Sequence, residues 1–162
     1  MKKYFFLLFV LTTISSFSQT DYSAISLKND ADYKAADKYA LEASNYILSG
    51  PIDKNNPTQQ AALQFVLKWM DGTPDYTFTI DADISKKVVS GNDDLLGIYM
   101  TSMTKYCLEN KPNANDSKLV KLNAVKIVIA YAEKTENKVA ISKSFQTLIE
   151  ANRKGALEKE LQ

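Results

Sequence analysis

Ser102 and Lys105 stand three residues apart. On a helix that spacing is about one turn, which lets a lysine amine take the hydroxyl proton of a nucleophilic serine. Carboxylates gather between Asp75 and Asp94, and Asp81, Asp83 and Ser85 alternate as the opening oxygen ligands of a calcium loop do. Trp69, Tyr76 and Phe78, with Asp75 among them, form the densest group of unusual side chains. Aromatic anchors of this kind carry recognition of partners. Histidine is absent from the chain. That removes every serine–histidine, cysteine–histidine and histidine–metal arrangement at once. A single cysteine also leaves too few soft ligands for the usual zinc sites.

Neither of the first two signals extends to a complete site. Ser102-Met103-Thr104-Lys105 matches the S-x-x-K motif of penicillin-binding proteins and class A β-lactamases, but S-D-N and K-T-G are both missing. The chain is also short for that fold, and no sheet is visible to carry it. A calcium loop opening at Asp81 would need glycine where Lys86 stands and glutamate where Asn92 stands. Helix capping explains these acids more simply. Acids lie on every predicted helix, so no pair can be nominated for glycoside chemistry. The expectation is therefore no catalytic residue, no metal ligand and no cofactor. The aromatic turn has two readings. It is a helix stop whose aromatics seal the core, or it is a binding surface formed by Trp69, Asp75, Tyr76 and Phe78.

The elements that would position these groups are helices. Tyr33, Ala36, Ala40, Ala43 and Ile47 recur at three- and four-residue steps, from Asn29 or Asp30 to the stop at Gly50-Pro51. Asn56-Pro57 with Gln59 reads as a capping box opening a second helix that closes at Gly72. Tyr76, Phe78 and Ile80 alternate with threonines, but no second strand pairs with them, so residues 75–80 read as an extended connector. Asp81 to Val89 reads as a short helix ended by Ser90 and Gly91. A fourth helix, capped by Asn92 or Asp93, presents Leu96, Tyr99, Met100, Met103, Tyr106 and Cys107 inward. A fifth starts at Asp116 or Ser117. It is apolar on so many sides that it is expected to be the longest and to lie centrally. The last carries Ile141, Phe145, Leu148 and Ile149 and ends near Gly155. The fold class is all-α: a compact bundle or short array of five to six antiparallel helices joined by short loops. One helical domain spans residues 30–155, after a polar lead-in at 19–29 and before a frayed charged end at 156–162.

Residues 1–18 read as a cleavable signal peptide. Lys2 and Lys3 precede an apolar run over residues 4–14, and Ser16 and Ser18 supply the small-x-small exit. The run is well short of the roughly twenty residues that span a bilayer, so no permanent membrane anchor is expected. No cysteine lies near the cleavage site, which argues against lipidation. A periplasmic or secreted location follows, and a lone Cys107 there forms no disulfide within the chain and is best buried. The leader holds two lysines and no acid, so its removal takes the formal charge from +1 to −1. Such a balance offers no face for nucleic acid.

The leader ending in Ser-Phe-Ser-Gln, the segment W-M-x-G-T-P-D-Y-T-F from Trp69 to Phe78, and D-L-L-G-I-Y from Asp94 to Tyr99 resemble exported proteins of unknown function from Bacteroidota. The resemblance implies a small exported helical protein and transfers no activity or site residue. Leader, helices and missing catalytic groups together point to a non-enzymatic binding module whose partner is a protein or envelope component. Two alternatives stay open. One is a small hydrolase or lyase using carboxylates, tyrosine or the Ser–Lys pair. The other is a structural or stress-related envelope protein with no discrete site.

Overall fold

The structure, a computed structural model, describes residues 20–90 and 92–162. The expected leader and Gly91 lie outside the described residues. Among those described, the chain is helical with no strand. Seven α-helices follow one another: α1 (Asp30–Leu48), α2 (Pro57–Gly72), α3 (Ala82–Val89), α4 (Asp94–Glu109), α5 (Ser117–Ala132), α6 (Lys143–Arg153) and α7 (Leu157–Glu160). Residues 73–81, which include the expected connector at 75–80, carry neither helix nor strand.

Most helix starts are set by local hydrogen bonds. Side-chain oxygens of Asn29, Asn56, Asp81, Asp116 and Ser142 accept backbone N–H groups in the first turns of α1, α2, α3, α5 and α6. Each such cap is worth about 1 kcal/mol. The capping box at Asn56 is only half made. Asn56 accepts from the N–H groups of Thr58 and Gln59. The Gln59 side chain turns instead to the preceding loop, accepting from Asp53 N–H at 2.6 Å and donating to Pro51 O at 3.0 Å.

The central helix is α4, which packs against α1, α2, α3 and α5. The expectation of α5 at the centre is corrected, as is its length: α5 has 16 residues and α1 has 19. The reason lies in side-chain size. Gly97 lets Leu63 of α2 approach to 3.3 Å from where a Cβ would stand. Ser102 is fully buried because its hydroxyl donates to Ile98 O, one turn back, at 2.7 Å. Residues that look polar in sequence are thus small enough, and in the case of Ser102 satisfied enough, to face inward. The α4 face is wider than expected: Tyr99, Met103, Tyr106 and Cys107 are buried as expected and Leu95 and Ile98 join them, while Leu96 is 37% exposed. On α5, Leu119, Leu122 and Ile127 remain only half-buried. Cys107 is buried among core residues, as its helical register predicts.

Both ends of the domain extend further than expected. Tyr22 and Leu27 of the lead-in are buried, with Tyr22 5.6 Å from the Phe65 ring and donating to Glu42. The charged C-terminal segment forms α7 and buries Leu157 and Leu161. These two leucines are four residues apart, so one helical turn places both against the body. Conversely, Ile141 precedes α6 and is 41% exposed. Among the described residues, no helix is long and apolar enough to cross a membrane.

Burial makes the core sensitive to alkali. It pushes the Cys107 thiol up to about 11 and the Tyr99 hydroxyl up to about 12, the latter with help from the Asp81 charge. The fold therefore prefers both groups neutral. That stabilisation is fully present below the unfolded-state values of about 8.5 and about 10. Above them the unfolded chain sheds protons that the native chain keeps, and stability falls until the native groups ionise. Urea midpoints are expected to fall steadily between about pH 9 and pH 11. Tyr99→Phe is expected to flatten that slope, and an unchanged slope would show that Tyr99 is not the group responsible.

Candidate functional site

The serine–lysine pair does not assemble. The Ser102 hydroxyl is spent on Ile98 O. The Lys105 ammonium faces the other way, bonding Asn45 Oδ1 at 2.6 Å and pairing with Glu109. The acids also disperse. Asp81 caps α3 and meets Lys121 at 2.9 Å, and that lysine together with the α3 N–H groups holds its carboxyl below the ordinary range. Asp94 pairs with Lys54 and Asp75 with Lys34. No group of three or more potential metal-ligating acids or cysteines forms among the described residues.

The aromatic turn is brought together, but inward. Trp69 is fully buried. Its indole N–H donates to Tyr33 O at 3.2 Å, tying α2 to α1. Tyr76 and Phe78 fold back over it, with ring centroids 5.6 and 6.0 Å from the indole. Both are half-buried against the core, and Asp75 is exposed beside Lys34 at 3.3 Å. Gly72 belongs to the same arrangement, since a Cβ there would stand 2.1 Å from the Tyr33 hydroxyl oxygen. The expectation of Trp69 as an anchor is corrected by this burial: it has no surface to offer a partner. The turn closes the α1–α2 seam, and Tyr76 and Phe78 keep only their outer edges in solvent, while Pro74, Asp75, Thr77, Thr79 and Ile80 are exposed.

A cleft of about 370 Å³ opens at one end of the bundle. It gathers residues from the α1–α2, α3–α4 and α5–α6 connections, which are alternate loops of an antiparallel succession and so meet at one end. Its apolar lining is Pro51, Ile52, Leu95, Ile98 and Val139. The loop carrying Pro51 and Ile52 is held by Gln59 and by the Tyr131 hydroxyl, which donates to Gly50 O at 3.1 Å. On the facing side, Asn137 is buried and its side-chain amide donates to Tyr131 O at 2.8 Å. Its Oδ1, itself closed off from solvent, has no hydrogen-bond partner among the described residues. Lys138, next in the chain, adopts a left-handed conformation with φ of 50°. Asp94 stands at the start of α4, its side chain 38% exposed.

None of the cleft residues is legible as a site in the sequence. The available signal was apolar residues, Ile52 and Val139, inside otherwise polar loops. Alternate-loop topology would then have placed those loops together. No protein-family model matches the chain, and neither a curated protein nor a solved structure matches it significantly.

Proposed function

We propose that the protein is an exported, non-enzymatic binding module of the cell envelope, and that the loop-end cleft receives its ligand or the inserted part of its partner. The carrying observation is the cleft itself: Pro51 and Ile52 of the α1–α2 loop, Val139 of the α5–α6 loop and Leu95 and Ile98 of α4 line one concavity, with Asn92, Asp94 and Lys138 at its polar side. Concave, mostly apolar sites with a few convergent polar groups are where ligands bind. Loops held by a rigid helical frame are where such groups are usually displayed. The leader pattern and the resemblance to exported Bacteroidota proteins support the envelope assignment. The serine–lysine separation and the dispersed acids favour binding over hydrolysis.

The test is an amide-shift map of isotopically labelled protein titrated with an envelope extract. Shifts centred on Leu95, Ile98, Asn137 and Val139 are expected. Val139→Trp, which fills the cleft from a half-buried loop position, should abolish them while leaving the helical circular dichroism unchanged. Shifts centred on Tyr76 and Phe78, or turnover of a component of the extract, would overturn the proposal.

A further inference from the structure

We infer that residues 75–80 form an edge strand that pairs antiparallel with the same segment of a second copy of this chain. As the α2–α3 connection, the segment lies at the end of the bundle away from the cleft, and the inference does not depend on the cleft. The segment is extended without belonging to a sheet. Thr73 and Asp81 flank it in extended conformation, and no turn or bend interrupts residues 76–80. Its side chains alternate as they do on a strand. Tyr76 and Phe78 lie against the Trp69 ring, while Thr77 and Thr79 are exposed. The Tyr76 and Phe78 rings stand 6.4 Å apart, close to the two-residue rise of a strand. No backbone group of residues 74–80 bonds another backbone group among the described residues.

Exposed edges of this kind are ordinarily guarded by lysine, proline or a bulge. Residues 76–80, Tyr-Thr-Phe-Thr-Ile, carry no charge and no proline. A row of free N–H and C=O groups is matched along its length by another extended chain. The segment is its own complement. About a two-fold axis through Thr77, Tyr76 faces Phe78, Asp75 faces Thr79 and the two Thr77 side chains face each other, so no like charges are opposed. Ile80, 45% exposed in the single chain, meets the exposed Pro74 of the second copy. The acids at the two ends, Asp75 and Asp81, already have Lys34 and Lys121 beside them at 3.3 and 2.9 Å. Parallel pairing in register would instead set the two Asp75 side chains together on a less stable ladder. One strand pair is a small interface, so the association is weak and concentration-dependent.

Hydrogen exchange of labelled protein, followed by NMR at about 50 μM and about 1 mM, tests the pairing. Alternate amides within residues 75–80 are expected to exchange freely in dilute protein and at least about threefold more slowly in concentrated protein. Thr77→Lys sets like charges opposite each other at the axis and should weaken association about fivefold, as should Thr77→Glu. The position is exposed, so both variants should keep the helical circular dichroism. An equal mixture of the two should associate at least as well as the unaltered protein, because lysine then faces glutamate. The inference fails if sedimentation finds only monomer at about 1 mM, if the segment is already protected in dilute protein, or if the mixture associates no better than either variant alone. Protection gained only when envelope extract is added would give the strand to another protein and likewise overturn the second copy.

Discussion

Trp69→Ala is expected to destabilise the protein by about 3–5 kcal/mol, the usual cost of emptying a large aromatic site in a core. Three losses combine. A fully buried indole is removed from the last turn of α2. Tyr76 and Phe78 lose the ring they cover. The Tyr33 carbonyl loses its indole donor, the link between α1 and α2. A domain of this size has about 5–15 kcal/mol in total, so the variant should be near the edge of folding at physiological temperature. Urea unfolding followed by circular dichroism measures it. Asp75→Ala is the control from the same turn. Its partnership with Lys34 is between side chains 60% and 41% exposed, and its removal should cost less than about 1 kcal/mol. If Trp69→Ala cost as little as Asp75→Ala, the aromatic turn would be an ornament of the surface rather than the closure of the α1–α2 seam.

Leu157→Ala carries the second large effect, expected at about 2–4 kcal/mol. The segment from Ala156 to Gln162 is charged enough to read as a loose end. In the fold, Leu157 is 2% exposed and Leu161 is 6% exposed, both within the core cluster. A hydrogen bond from Lys87 Nζ to Glu160 O at 2.9 Å fastens α7 to α3. Deleting residues 156–162 should cost more than Leu157→Ala alone, because it also removes Leu161 and that bond. It should also increase binding of a hydrophobic dye, since the surface under both leucines is opened. Glu158→Ala, exposed on the same short helix, should be close to neutral. A deletion no more harmful than Glu158→Ala would return this segment to the status of a frayed terminus.

The two predictions concern places where sequence and fold disagree, and the disagreement has one origin. Trp69 satisfies both readings of its neighbourhood, because an aromatic suited to a recognition surface is equally suited to a core. Only the approach of Tyr33, admitted by Gly72, and the return of Tyr76 and Phe78 decide between them. The α7 leucines looked like isolated apolar residues among charges. Their four-residue spacing was visible, but α7 packs on α6 and is fastened by Lys87 of α3, far back in the chain.

What the sequence determined by itself is the all-helical class and the position of each longer helix. Asn56-Pro57, Asp81 and Asp116 mark starts that the structure keeps, because a cap is a hydrogen bond to an N–H two or three residues away. The helical period likewise placed Cys107 in the core. Tertiary structure alone decided that α4 rather than α5 is central, that Trp69 is sealed, and that Ile52, Leu95 and Asn137 share a cleft. Helix formation is decided within about four residues of each position, so a linear reading reaches it. Burial is decided by whatever segment arrives from elsewhere, and Ile52 and Asn137 meet only because alternate loops of an antiparallel bundle end on the same side.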